Sequence, residues 1–401
     1  MVNHEEVGDE MNKVNHYSCT LLKLERLKQN KGQKEVCHGI CVPSYLSKIE
    51  RNQVTPDSHI LKQLFQRLDI EFYCEDTFME HYKLLIDDYF KQMSYHLEKS
   101  AYKELQLADK KLIYSPFAID WLIIQAYENN MEPLKQLSQC LDSMIDKQRA
   151  YYYMALPLKK DEEKEIIDLY IQAFNILKDS ISLLNLMVGY YRISQYDKVH
   201  ECADKCISLA LEEGNTWALA YCYRMVGAVY ACLNIEDLMI PTYQRAIHLL
   251  QNTYWKEELS EIYYNMGATY LQSGNYTLAL KYLNMVTWDK DFLLYHKKAL
   301  VFIRSKKLED AAEYINAMKS WIKDKEKKEN VIEVEKMMLE EALFECKEDY
   351  LDDPNFIKVM EALMDRLKSE RHKGYVLFYK NILKKAYCKQ RKYKKALELY
   401  N

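Results

Sequence analysis

Apolar residues in the first seventy positions recur in short bursts at helical spacing, not in strict alternation. Leu21, Leu24 and Leu27 fall at i, i+3 and i+6 and predict the inner face of a helix that ends at Asn30-Lys31-Gly32. Val36 and Ile40 are the inward positions of a second helix opening at Gln33. Leu46 and Ile49 play that part in a third, from Pro43 to Glu50, where Pro43 suits the first position because its missing N–H costs nothing there. Thr55-Pro56-Asp57-Ser58 starts a fourth helix, carrying Ile60, Leu61, Leu64 and Leu68.

A longer rhythm begins near residue 180. An aromatic or apolar residue is followed six positions later by a second and three later by a small or apolar one. The copies are Tyr190/Tyr196/Val199, Tyr270/Tyr276/Ala279, Phe302/Leu308/Ala311 and Tyr387/Tyr393/Ala396, with a weaker one at Tyr230/Glu236/Met239. The six-residue step predicts a turn between two antiparallel helices, and the small residue lets the second helix pack closely. Copies beginning near 181, 221 and 261 recur every 40 residues. Residues 73–180 share the helical texture with weaker repeat signals. The expected organisation is a disordered tail over 1–16, a small domain over 17–72, a linker helix near 77–97 with eroded repeats to 180, and the repeat array over 181–401.

Composition narrows the chemistry. With 9 Gly and 7 Pro in 401 residues, few turns are available for a sheet or a phosphate-cradling loop, so the fold class is all-α. The 34 tyrosines suit helix seams and grooves, being apolar in body and polar at the tip. Net charge is −4, yet residues 13–70 hold ten Lys/Arg against five Asp/Glu, a local excess of +5 that suits nucleic acid. Eleven scattered cysteines without a leader segment read as reduced thiols, and no apolar run is long enough to cross a bilayer. A cytoplasmic protein is expected.

Residues 17–70 resemble the phage-repressor (Cro/CI, or XRE) helix-turn-helix. The resemblance rests on Gln33-Lys34-Glu35-Val36, the run from Ser44 to Asn52, Pro56, and Leu68-Asp69-Ile70. Gly32 and Val42 stand where that family usually caps its second and third helices with Thr or Ser. Gly is nearly as good a cap, but Val cannot accept the free N–H bonds. The resemblance implies that the third helix enters the major groove of double-stranded DNA. With Leu46 and Ile49 inward, Ser44, Tyr45, Ser47, Lys48 and Arg51 project outward. Ser44, Ser47 and Lys48 suit base edges, Lys48 preferring guanine. Arg51 and Asn52 suit phosphates, which position rather than specify. Pro43 and Gln33 complete the DNA-facing set, Gln33 aimed by resemblance at the DNA backbone. An internal Arg26–Glu50 ion pair is also implied.

The segment Tyr263 to Tyr276 resembles a tetratricopeptide repeat, with Gly267, Tyr270 and Ala279 in place. Gly227, Tyr230, Tyr243 and Ala246 match in the preceding copy. Such repeats stack into a right-handed α-solenoid with a concave groove. Eleven residues before Tyr196, Ile235 and Tyr276 stand Asn185, Arg224 and Asn265, on the first helix of each pair. Asn offers donor and acceptor together, so it can hold a peptide backbone without reading side chains. Tyr221, Tyr264 and Lys297 complete the candidate peptide contacts. Neighbouring helices about 10 Å apart match about three extended residues, so three anchors would hold a short peptide of about six to eight. Helix-turn-helix, repeats and groove asparagines together resemble the RRNPP (Rap/Rgg/NprR/PlcR/PrgX) quorum-sensing receptors, nearest the PlcR type. That likeness implies a homodimer on an inverted-repeat operator, controlled by a signalling peptide. A Rap-like regulator or phosphatase acting on protein partners is the alternative. No catalytic constellation stands out, and no cofactor is implied. His200, Cys202 and Cys206 lack a fourth ligand for a metal and read as core filler. The run from Lys323 to Lys328 reads as a solvated helix end.

Overall fold

In the computed structural model, residues 17–128, 132–138, 140–156, 163–288, 291–326, 332–370 and 373–399 are described, and every regular element among them is helical. The chain divides into two compact units between Leu186 and Met187.

The first unit opens with α1 (residues 17–28), α2 (Gln33–Cys37), α3 (Pro43–Ile49) and α4 (Ser58–Arg67). Longer and shorter helices follow: α5 (Asp76–Ser94), α6 (Ser100–Leu107), α7 (Asp109–Ile113), α8 (Ala118–Tyr127), α9 (Glu132–Ser138), α10 (Asp146–Ala155) and α11 (Glu163–Leu177). α12 (Ser180–Arg192) carries the chain across the division. Leu22, Val36, Leu46, Ile49, Leu61, Leu64 and Phe65 are sealed from solvent. Leu24 and Leu27 are not; both are about half exposed. A repeated step of three residues drifts by about 60° each time, so Leu27 lies about 120° around α1 from Leu21. The face that α1 buries runs through Ser18, Leu22, Glu25 and Arg26 instead. Phe65 stacks on Phe72 at 4.9 Å and meets Tyr114 edge-on at 6.2 Å. The first four helices therefore share one apolar core with α5 to α10.

The second unit pairs α14 (Thr216–Leu233) with α15 (Glu236–Leu250), α16 (Lys256–Gln272) with α17 (Tyr276–Leu283), and α18 (Phe292–Arg304) with α19 (Leu308–Glu326). α13 (Tyr196–Glu213) precedes them. α20 (Glu333–Glu345), α21 (Pro354–Glu370), α22 (Lys373–Lys389) and α23 (Tyr393–Glu398) close the chain. The first helices α14, α16, α18 and α20 are successive neighbours, and α22 returns against α14.

The six-residue rhythm has one geometric cause. Tyr196, Glu236, Tyr276, Leu308 and Tyr393 are each the first residue of a helix. Two residues earlier, Ser194, Asn234, Gly274, Lys306 and Arg391 all take the left-handed conformation. The next N–H then donates back to the marker carbonyl: Gln195 to Tyr190, Ile235 to Tyr230, Asn275 to Tyr270, Lys307 to Phe302 and Lys392 to Tyr387, at 2.8–2.9 Å. This 6→1 bond is the Schellman closure of a helix end. Val199, Met239, Ala279, Ala311 and Ala396 are buried where the second helix meets the first. Close approach is explicit at Gly227, where a Cβ would fall 2.5 Å from the Tyr243 ring, and at Gly267, where it would fall 2.6 Å from Leu283.

Candidate functional sites

The helix-turn-helix face is built by a buried ion pair. Arg26 Nε and Nη2 donate to the two carboxylate oxygens of Glu50 at 2.6 and 2.9 Å, and Nη1 donates to the Lys31 carbonyl at 2.8 Å. The fork fixes α1 to the end of α3, and the charge-assisted bond to Glu50 raises the Arg26 pKa further. Gln33 Nε2 also donates to Glu50, at 2.8 Å. Its side chain is thus committed to Glu50 and not to solvent. Gly32 and Val42 cap α2 and α3 without a side-chain bond. Asp57 caps α4 by accepting from the His59 N–H.

With Leu46 and Ile49 inside, the outer face of α3 presents Pro43, Ser44 and Lys48 fully and Tyr45 and Ser47 in part. Arg51 is exposed and folds back on α3, donating from Nε to the Ser47 carbonyl at 3.1 Å and from Nη2 to the Ser47 hydroxyl at 2.8 Å. Asn52 ends this segment in the left-handed conformation, with its amide donating to the Thr20 hydroxyl at 3.0 Å. Six polar or aromatic side chains of the expected set lie on or beside one solvent-facing helix. Arg67, donating to the His38 carbonyl at 2.9 Å, was not singled out in the sequence.

The second unit contains an open groove with about 80 Å³ of free volume. Tyr264, Asn265 and Lys297 from the expected peptide contacts line it together. Asn265 Nδ2 donates to the buried Tyr243 hydroxyl at 3.1 Å, and burial raises the Tyr243 pKa. Tyr264 packs on Trp288 at 5.2 Å. Residues outside the expected contacts complete the walls: Tyr191, whose hydroxyl lies 3.3 Å from Cys232 Sγ, with Gln272 on α16 and Tyr375 and Phe378 on α22. Ala228, Ala231 and Ala268 keep the floor open. Cys232 and Gln272 stand two residues before equivalent left-handed turns, a spacing visible in the sequence. Nothing local marks α22 as a wall.

The left-handed turns also correct one expectation. Nine residues before Ser194, Asn234, Gly274 and Lys306 stand Asn185, Met225, Asn265 and Lys297. Arg224 is therefore one position out of register, because Ile235 was counted where Glu236 is the equivalent. Arg224 does not line the groove; its guanidinium lies over the Tyr221 ring at 4.1 Å and its Nη1 pairs with Glu261. Asn185 belongs to the first unit, where its amide donates to the Ile181 carbonyl at 2.9 Å and approaches Met154 Sδ at 3.6 Å. His200 packs on the Tyr230 ring at 5.0 Å, and Cys206 is buried. Among the described residues, no group of three or more His, Cys, Asp or Glu is placed to hold a metal ion. No described helix is long and apolar enough to cross a membrane.

Residues 22–73 match the family model HTH_3: Helix-turn-helix. The Transcriptional activator NprA of Geobacillus stearothermophilus is 23% identical over 292 residues, covering 68% of this chain and 69% of that protein. Two solved structures share the fold over 80% of this chain. The apo form of the quorum sensor NprR from B. thuringiensis matches with a TM-score of 0.56, 16% identity and 99% of its own chain. A Rap protein complexed with competence and sporulation factor matches with a TM-score of 0.53, 15% identity and 96% of its chain. The chain shares the helical-repeat fold of these two structures. An XRE-type helix-turn-helix precedes a helical repeat solenoid in one polypeptide. Within that architecture, the exposed face of α3 and the groove of the second unit are the two candidate sites.

Proposed function

We propose that the protein is a peptide-responsive transcription regulator that binds an inverted-repeat operator as a homodimer and is controlled by a short peptide in the groove of the repeat array. The observation that carries this reading is the union, in one chain, of a helix-turn-helix with an open polar α3 face and a repeat-array groove lined by Asn265. The Arg26–Glu50 fork orients α3. Ser44, Ser47 and Lys48 then read base edges, while Arg51 exchanges its bonds to Ser47 for a phosphate. A single α3 helix buries too little surface for strong specificity, so a two-fold operator is expected. Asn265 pairs with a peptide backbone at the cost of its bond to Tyr243. NprA, a relative named as a transcriptional activator, and the helix-turn-helix match favour this reading over an enzyme.

Binding is tested by fluorescence anisotropy on genomic fragments recovered with the protein, across a salt series. Lys48→Ala should lose discrimination between sites, whereas Arg51→Ala should weaken binding to all DNA and lower the salt slope by about one. Wild-type affinity and selectivity in both variants would overturn the assignment of α3. Light scattering that finds a monomer both free and on DNA would remove the homodimer.

A further inference from the structure

Lys297 occupies the same station in its repeat as Asn265 does in the preceding one, nine residues before the left-handed turn, and both side chains line the groove. Lys297 is 2% exposed. Its ammonium has no hydrogen-bond acceptor and sits 3.1 Å above the Phe378 ring, with the Tyr379 ring at 5.4 Å. None of the carboxylates nearby accepts a hydrogen bond from it. Glu345 is held by the Arg304 fork at 2.6 and 2.7 Å, and Glu341 Oε2 takes the His296 Nε2 contact at 3.0 Å. Glu341 Oε1 lies 3.8 Å from Arg304 and accepts no hydrogen bond.

A desolvated ammonium with three donors and no acceptor is costly, and a carboxylate is the group that satisfies it best. We infer that Lys297 is an anion subsite of the groove and that its ligand is a short peptide bearing a carboxylate, which seats on Lys297 while Asn265 holds the backbone. The aromatic wall of α22 supports the same pairing: it keeps water from the ammonium, so a charge-assisted bond there gains strength. Burial also holds the Lys297 pKa well below the usual lysine range, although Glu341 opposes the shift. An arriving carboxylate favours the charged form. The inference rests on the peptide-binding reading above and adds the charge of the ligand. The carboxylate is either the peptide's C-terminus or an acidic side chain.

Three synthetic heptapeptide pools separate these sources. The first has free C-termini and no Asp or Glu, the second has amidated C-termini and no Asp or Glu, and the third has amidated C-termini with one Asp or Glu. Each is incubated with the full-length protein, and retained peptides are identified by mass spectrometry. The wild type should retain members of the first or third pool, which names the carboxylate, and not the second. Lys297→Met should lose that retention by about 10- to 150-fold, in protein shown by circular dichroism to be folded. Retention of the neutral second pool at the level of the others would overturn the anion subsite while leaving peptide binding intact, and this arm needs no variant. Undiminished retention by folded Lys297→Met would overturn it too. A wild type that retains nothing from any pool removes the peptide reading and the subsite together.

Discussion

Gly227 sits inside α14 with the sealed ring of Tyr243 against it. In an exposed helix, Gly→Ala would stabilise the protein by about 1 kcal/mol, through helix propensity and a less free unfolded chain. Here the added Cβ would meet Tyr243 Cδ1 and Cε1 at 2.5 Å and Cγ at 3.1 Å. Those atoms belong to a flat ring at 0% exposure whose hydroxyl is tied to Asn265, so the ring cannot swing away as the tip of a flexible side chain would. Overpacking of this kind costs about 1–3 kcal/mol. The two effects oppose each other, and the contact wins where the ring is wedged. Gly227→Ala should therefore lose up to about 2 kcal/mol net, or up to roughly 8 °C of melting temperature in a unit of this size. Calorimetry on the full chain reads it. A raised melting temperature would refute the claim that glycine is there to seat the Tyr243 ring.

Two further outcomes follow from buried charges. Arg26→Ala leaves the Glu50 carboxylate and the Lys31 carbonyl without their buried donor and should destabilise the first unit by about 3–5 kcal/mol in urea denaturation; a loss below about 1 kcal/mol would show that the fork does not hold α3. His296 is fully buried, its Nδ1 has no hydrogen-bond partner, and burial holds its pKa well below the usual histidine range. The unfolded chain therefore binds a proton there that the folded chain refuses, so this contribution is full above about pH 6.5 and is lost as pH falls, by up to about 1.4 kcal/mol per unit. Glu341 and Glu345 act with the opposite sign, since burial raises their carboxyls, Glu345 to about 7. The readout is thus the difference between proteins: stability should fall less steeply from about pH 6.5 to 5 in His296→Gln than in the wild type, and equal slopes would count against a refused proton at His296.

The turns were legible in the sequence because one closed bond enforces them. A marker carbonyl that accepts from the residue five positions on fixes the step to the next helix, whatever side chains surround it. The same rule explains the register of Arg224: the second copy carries Glu236 where the others have Tyr or Leu, so no apolar marker shows where its second helix begins, and Ile235 is the nearest apolar residue. Asn234, at φ +57, is the better marker. On α1, equal spacing of leucines was mistaken for a common face, and Arg26 and Glu25 took the buried places instead. The wall formed by α22 had no sequence signal at all. Tyr375 and Phe378 lie about a hundred residues beyond Asn265, and their pattern speaks only of an amphipathic helix, not of its neighbour.

The station nine residues before each turn allows a last test, because the chain fills it with different chemistry at constant backbone geometry. It holds Met at 225, where the side chain is 4% exposed, and Lys at 297, where it is 2% exposed. An apolar side chain of similar length is thus compatible with this station. The ammonium at 297 forgoes water without gaining a hydrogen-bond acceptor, whereas its aliphatic stem packs as Met would. Replacing a poorly compensated buried charge by an apolar residue of like volume often stabilises by about 1–4 kcal/mol. Against this stands the attraction between Lys297 and Glu341, but Glu341 keeps His296 and the field of Arg304. Lys297→Met should therefore raise the melting temperature of the ligand-free protein by a few degrees, about 2–4 °C for each kcal/mol gained. A fall in melting temperature would show that Lys297 serves mainly to balance Glu341. A rise means the repeat carries this lysine at a cost in stability, as a residue kept for binding would be.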